Sequence, residues 1–153
     1  MKSLLKEMDC TEVSSSGPNA APGASSDKCG DQPAQLVFDS ARMSSGVATR
    51  SSAASVRQLL YRSGPVCIDL HIQPRPGMVA AEVTGQLLDS RRPSHIMRDI
   101  PVSLLYDGGA VSHQTTNQVG EFDFRVDSPR HLQLVFGIGK RKSVVVTVPD
   151  ALV

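Results

Sequence analysis

A chain of 153 residues, 40% of them hydrophobic, is long enough to bury one core, and 16 Lys and Arg against 15 Asp and Glu leave a formal net charge of +1. Neither half carries the cationic excess that phosphate backbones or anionic lipids select for, which argues against nucleic acid or a membrane as partner. Three widely spaced cysteines, Cys10, Cys29 and Cys67, form no C-x-x-C pair; a Cys10–Cys29 disulfide is conceivable, but free thiols in a reducing, cytoplasmic compartment are the expectation.

The opening "MKSLLKEMDC" lacks the apolar core of a leader peptide, because Lys6, Glu7 and Asp9 interrupt it, and no later run is long enough to cross a bilayer. From Val13 to Ala34 the chain is mostly Ser, Gly, Pro and Ala, without an aromatic residue. Such a segment buries too little apolar area to offset an ordering cost of roughly 1–2 kcal/mol per residue. Residues 1–34 are therefore expected to be a disordered tail, serving either as a tether or as a plain extension.

Residues 35–64 read as a linker that carries the apolar anchor "LVF" and one short amphipathic helix, at about 52–62. Ser51 or Ser52 would cap its start, and Gly64-Pro65 would stop it. Ala53, Val56, Leu59 and Leu60 would share a face needing a surface to cover it, either the following domain or a partner's groove.

From Val66 the period changes to two. Val66, Ile68, Leu70 and Ile72 alternate with Cys67, Asp69, His71 and Gln73, the pattern of a strand with one dry and one wet face. The alternation recurs around Val83 and Leu87, then Ile100 to Leu104, Val111 to Thr115, Phe122 to Val126, Leu132 to Phe136, and Val144 to Val148. Seven strands separated by turn sequences such as "PRPG", "DGG", "NQVG" and "GIGK" predict an all-β antiparallel sandwich over 65–150. Within "TTNQVGEFDF", Gly120 supplies the freedom the turn needs, and Phe122 and Phe124, two apart, supply the largest core side chains.

The segments "VTGQLLD", "IPVSLL", "TTNQVGEFDF" and "VVVTVP" resemble the carboxypeptidase regulatory-like domain, a transthyretin-like Greek-key sandwich of seven strands. The likeness covers about residues 66–149. The preceding "LVFDS" and "RQLLY" are similar to pieces of small bacterial proteins that carry such a domain. The resemblance implies an accessory module more than an activity. One transthyretin-like relative, the hydroxyisourate hydrolase family, is an enzyme with a C-terminal Tyr-Arg-Gly-Ser; this chain ends "VTVPDALV", so that chemistry does not carry over.

A hydrolase remains a remote alternative, with His71 and His113 the residues to test. No two of His71, His95, His113 and His131 have metal-clasping spacing, Asp123 and Asp127 lack the donors of a calcium loop, and "GIGKRK" lacks the first Gly and the Ser/Thr of a phosphate loop. Neither a metal nor any other cofactor is expected. The leading expectation is a non-catalytic protein-interaction module tethered by its N-terminal segment. Candidate partner-binding residues are Val56, Leu59 and Leu60 on the helix, with Arg91, Arg92 and Arg98 in the basic loop 89–99. Carbohydrate binding by a similar sandwich is the alternative, weakened because Trp is absent and only Tyr61 and Tyr106 could stack on a sugar.

Overall fold

The computed structural model describes residues 30–43, 55–106 and 109–150. Within them the inside-outside alternation of period two builds ten strands: β1 (Gly30–Pro33), β2 (Gln35–Asp39), β3 (Arg57–Ser63), β4 (Val66–Pro74), β5 (Ala81–Asp89), β6 (Pro101–Tyr106), β7 (Ala110–Thr115), β8 (Glu121–Val126), β9 (Gln133–Gly137) and β10 (Lys142–Thr147). A single helical turn, α1 (Ser40–Met43), follows β2. The strands form two five-stranded sheets, ordered β1-β10-β9-β6-β7 and β2-β3-β4-β5-β8.

The inner residues of both sheets share one core, with Leu59, Ile68, Leu70 and Ile72 from one side meeting Val102, Leu104, Leu134, Phe136 and Val146 from the other. Phe122 and Phe136 touch across it edge-on, their ring centroids 5.4 Å apart. Burying rings of this size contributes roughly 2–3 kcal/mol each. Gly85, between Leu70 and Phe122 in the register, is what lets the Phe122 ring lie over the β5 backbone: a Cβ there would stand 2.5 Å from that ring and 2.7 Å from the Asp69 carbonyl.

The seven expected strands are β4 to β10. Three more precede them, so seven is an undercount, and one pairing, β1 with β10, is parallel. The largest correction is the helix expected at about 52–62: residues 57–63 are strand β3, paired antiparallel with β4 from Arg57↔Ile72 to Ser63↔Val66, while residues 52–54 lie outside the described residues. In "RQLLYRS" a helical stripe and an alternating face compete, and the alternation wins because Leu59 and Tyr61 enter the core on the same side. Gly64-Pro65 is then a two-residue hairpin, with Gly64 at φ 58° as a glycine-first hairpin requires, rather than a helix stop. The expected tail (1–34) ends in β1; its residues 1–29, with Cys10 and Cys29, lie outside the described residues, and Cys67 is a half-buried free thiol. No helix among the described residues is long and apolar enough to cross a membrane.

The two lateral sides of the sandwich are finished differently. On one, β1 and β2 are a single extended segment that leaves one sheet and joins the other at Ala34, whose N–H donates to the Val145 carbonyl (2.8 Å). The Asp39 carboxylate at its end accepts from Arg57 Nε (3.0 Å) and Nη2 (2.7 Å), a bidentate pair buried in the fold. Arg57 Nη1 donates to the Pro149 carbonyl (3.0 Å), and the Tyr61 hydroxyl donates to the Thr147 carbonyl (2.9 Å), tying the N-terminal strands to the chain's last described residues. On the other side β7 and β8 are the terminal strands of different sheets, and no strand among the described residues crosses between them.

Candidate functional site

Outward-facing positions of the second sheet follow from the register. Gln58, His71, Thr84 and Asp123 make one cross-strand row; Phe38, Leu60, Asp69, Gln86 and Glu121 make the next. The rows run from apolar Phe38 and Leu60 to carboxylates at β8. Where they approach the open side, the end of β7 stands beyond β8 as a wall, and a cleft of about 410 Å³ forms over the sheet. Asp69, His71, Thr84, Gln86, Gln114, Thr115, Asn117, Glu121 and Asp123 supply its polar lining, with no lysine or arginine among them.

The wall is held by side chain-to-backbone bonds. Asn117 Oδ1 accepts from the N–H groups of Val119 (3.0 Å) and Glu121 (2.9 Å), and Gly120 takes φ 80°, where a Cβ would meet the Leu87 carbonyl at 3.0 Å. Gln114 Oε1 accepts from the Asp123 N–H (3.3 Å), bridging the terminal strands of the two sheets. Behind the turn, buried Thr116 accepts from the Ile100 N–H (2.9 Å) and donates to the Met97 carbonyl (2.7 Å).

Within the cleft Asp69 accepts from Gln58 Nε2 (3.1 Å) and lies 3.7 Å from His71 Nε2, while Glu121 accepts from Asn117 Nδ2 (3.3 Å). The Asp123 carboxylate has no partner among the described residues. Three carboxylates over one wet patch create a negative potential that the concave wall focuses. No three His, Cys, Asp or Glu among the described residues are placed to hold a metal ion.

The residues singled out from the sequence are scattered. Leu59 is fully buried and faces the core, so it cannot meet a partner; Leu60, its neighbour, faces outward opposite Phe38, and Val56 is exposed just before β3. Arg91, Arg92 and Arg98 are exposed in the loop after β5, at the far end of β4 from Val56. Asp89 organises that loop, accepting from the N–H groups of Arg91 (3.0 Å) and Arg92 (3.2 Å) and pairing with the Arg92 side chain at 3.4 Å. The helix face and the basic loop therefore form no common surface. The GIGK stretch is the β9–β10 hairpin expected of it.

On the outside of the first sheet His113 Nδ1 lies 2.9 Å from Ser103 Oγ, an exposed cross-strand pair whose imidazole makes no bond to a carboxylate among the described residues. The cleft residues Asp69, Thr84, Gln86, Gln114, Asn117 and Glu121 were missed as a site because they come from four strands and a turn. The signal available was the unbroken polar identity of the wet positions at the open edge. Comparison with known proteins finds no family model, no curated protein and no solved structure that matches this chain.

Proposed function

We propose that this chain is a non-catalytic protein-interaction module whose charged sheet face receives a basic, extended segment of another protein. The observation that carries the reading is the cleft lined by Asp69, Glu121 and Asp123 without a lysine or arginine in its lining, in which the Asp123 carboxylate has no partner among the described residues. An extended peptide suits it: the amide side chains of Gln86, Gln114 and Asn117 offer groups for a main chain, and the carboxylates select cationic side chains. Each exposed charge pair contributes only about 0.2–1 kcal/mol, so the affinity is modest and salt-sensitive. The segment before Gly30 is the connection that keeps the module near its partner. The resemblance to the carboxypeptidase regulatory-like domain supports the same kind of accessory role, and the widely spaced cysteines favour a reducing, cytoplasmic setting.

Screening the purified protein against an array of extended peptides tests the reading. Lysine- and arginine-bearing peptides should be retained at about 50 mM salt and released by about 500 mM, and the double substitution Asp69→Asn/Asp123→Asn should abolish retention. Selection of neutral or acidic peptides, or binding indifferent to salt, would defeat it. The same cleft has the hydrogen-bonding groups of a sugar site, which makes glycan binding the second reading. Tyr61 is buried and Tyr106 lies on the other sheet, so neither lines the cleft as a stacking face; retention on a glycan array rather than the peptide array would reverse the order.

A further inference from the structure

The four terminal strands of the two sheets are not equally protected against pairing with another chain. β1 is short, ends in Pro33, which has no N–H, and pairs in parallel. β2 carries a bulge between Leu36 and Phe38 and runs directly into α1. On β8 the outward N–H of Glu121 is taken by Asn117 Oδ1, that of Asp123 by Gln114 Oε1, and the Glu121 carbonyl by the Asn117 N–H (2.8 Å). Among the described residues β7 has none of these devices. Its six residues, AVSHQT, include no proline and no charge, and its ladder with β6 runs from Pro101↔Thr115 to Tyr106↔Ala110 without a bulge.

The direction of its free groups follows from the ladder. The Thr116 N–H points toward β6, donating to the Ile100 carbonyl (2.9 Å), and Pro101, opposite Thr115, has no N–H to give. Alternation then turns the N–H and C=O groups of Val111, His113 and Thr115 away from β6. Val111, His113 and Thr115 are also exposed at their side chains.

We propose that β7 is a self-association edge: two copies pair β7 to β7, antiparallel across a two-fold axis at His113, joining their first sheets into one. In this register Val111 faces the mate's Thr115 and His113 faces its own mate, which uses all the outward groups of Val111, His113 and Thr115 in six backbone hydrogen bonds. Every residue in an isologous contact meets a residue of the same strand, so a strand without charge is suited to itself, whereas the cationic segment expected in the cleft finds no carboxylate on β7. The outer face that would continue across the seam is also nearly neutral. Its rows through Ser103 and Leu105 hold Val135, Val145, Gln133 and Thr147, with Asp31 the charged position at its far edge. The carboxylates that select the cleft's ligand, Asp69, Glu121 and Asp123, belong to the other sheet, but Gln114 and Thr115 of β7 also line the cleft, so a bound peptide and the self-pairing meet at the C-terminal end of β7.

Sedimentation of the full chain over about 0.01–1 mM, with amide hydrogen exchange at each end of that range, tests the proposal. The expected result is a monomer–dimer equilibrium in which the amides of Val111, His113 and Thr115 exchange freely when dilute and at least about tenfold more slowly when concentrated. His113→Lys, which sets two like charges face to face, should leave a monomer with an unchanged melting curve, while Thr147→Lys, on the same outer face but on β10, should leave the dimer intact. A protein that stays monomeric at 1 mM overturns the proposal. So does a dimer in which those three amides remain unprotected, and so does slow exchange of the three that is already present at high dilution. Protection gained only when a peptide from the basic array is added would assign the edge to a foreign strand, and the self-pairing would be wrong.

Discussion

The closed and open sides of the sandwich are made from similar residue types put to opposite uses. On the closed side Asp39, Arg57 and Tyr61 are buried, and each is matched to a partner on another strand or on the chain's last residues. On the open side Asp69, Glu121 and Asp123 are wet, partnered among the described residues by neighbouring side chains or, for Asp123, by none, and stand around a concavity. A charged group can serve stability only where its desolvation is answered by bonds; one that stays hydrated adds little to folding and remains available to a ligand. Substitutions should therefore separate the two sides, with stability falling on one and binding on the other.

The largest effect is expected at Arg57. Arg57→Ala leaves the buried Asp39 carboxylate with only the Ala41 N–H (3.0 Å) and the exposed Arg42 at 3.8 Å, and frees the Pro149 carbonyl, which should cost about 3 kcal/mol in urea unfolding. The pair also gives the stability a pH signature. The Arg57 hydrogen bonds hold the Asp39 carboxyl below its ordinary value, so its contribution is complete above the usual aspartate value of about 4 and is lost as the pH falls below it. Unfolding measured from pH 6 to pH 2 should show this acid limb in the parent and a flatter one in the Arg57→Ala variant.

A smaller effect belongs to Tyr61. Tyr61→Phe keeps the buried ring but leaves the Thr147 carbonyl without its donor, for a loss of about 1 kcal/mol. Burial pushes the phenol up to about 12, so its stabilising contribution is full below the ordinary tyrosine value of about 10 and is lost as the pH rises toward that higher value. Alkaline melting curves should show the parent falling through this window and the Phe variant falling less. The smallest effect on folding is expected at the open side, where Asp69→Asn/Asp123→Asn should shift stability by no more than about 0.5 kcal/mol per site, even as it removes peptide binding.

The same contrast explains what could be read from the residues alone. The strands from Val66 onward were legible because each alternates strictly and is bounded by turn residues; the roles of Gly120, Phe122 and Phe124 followed from two-residue spacing beside a glycine turn. The closed side was not legible. β1 and β2 are short, and nothing local says that "GDQP" will lie parallel to the last strand or that "LVF" belongs to a strand. The pairing of Asp39 with Arg57 depends on β2 and β3 meeting across 18 residues of sequence. In "RQLLYRS" both periods were present, and only the presence of a second sheet to receive Leu59 and Tyr61 decides between them. The cleft was hidden for a related reason: its carboxylates are ordinary wet-face residues on their own strands, and they become a site only when β4, β5 and β8 align them and β7 walls them in.

Amide chemical-shift mapping of the labelled full chain, titrated with a basic peptide recovered from the array, tests the division between the two sides most directly. The account predicts that the shifts concentrate at Asp69, His71, Gln86, Gln114, Asn117 and Asp123, and that Gly30 to Asp39 and Leu59 to Ser63 stay still. Shifts centred on those N-terminal strands, with the cleft residues unmoved, would contradict it.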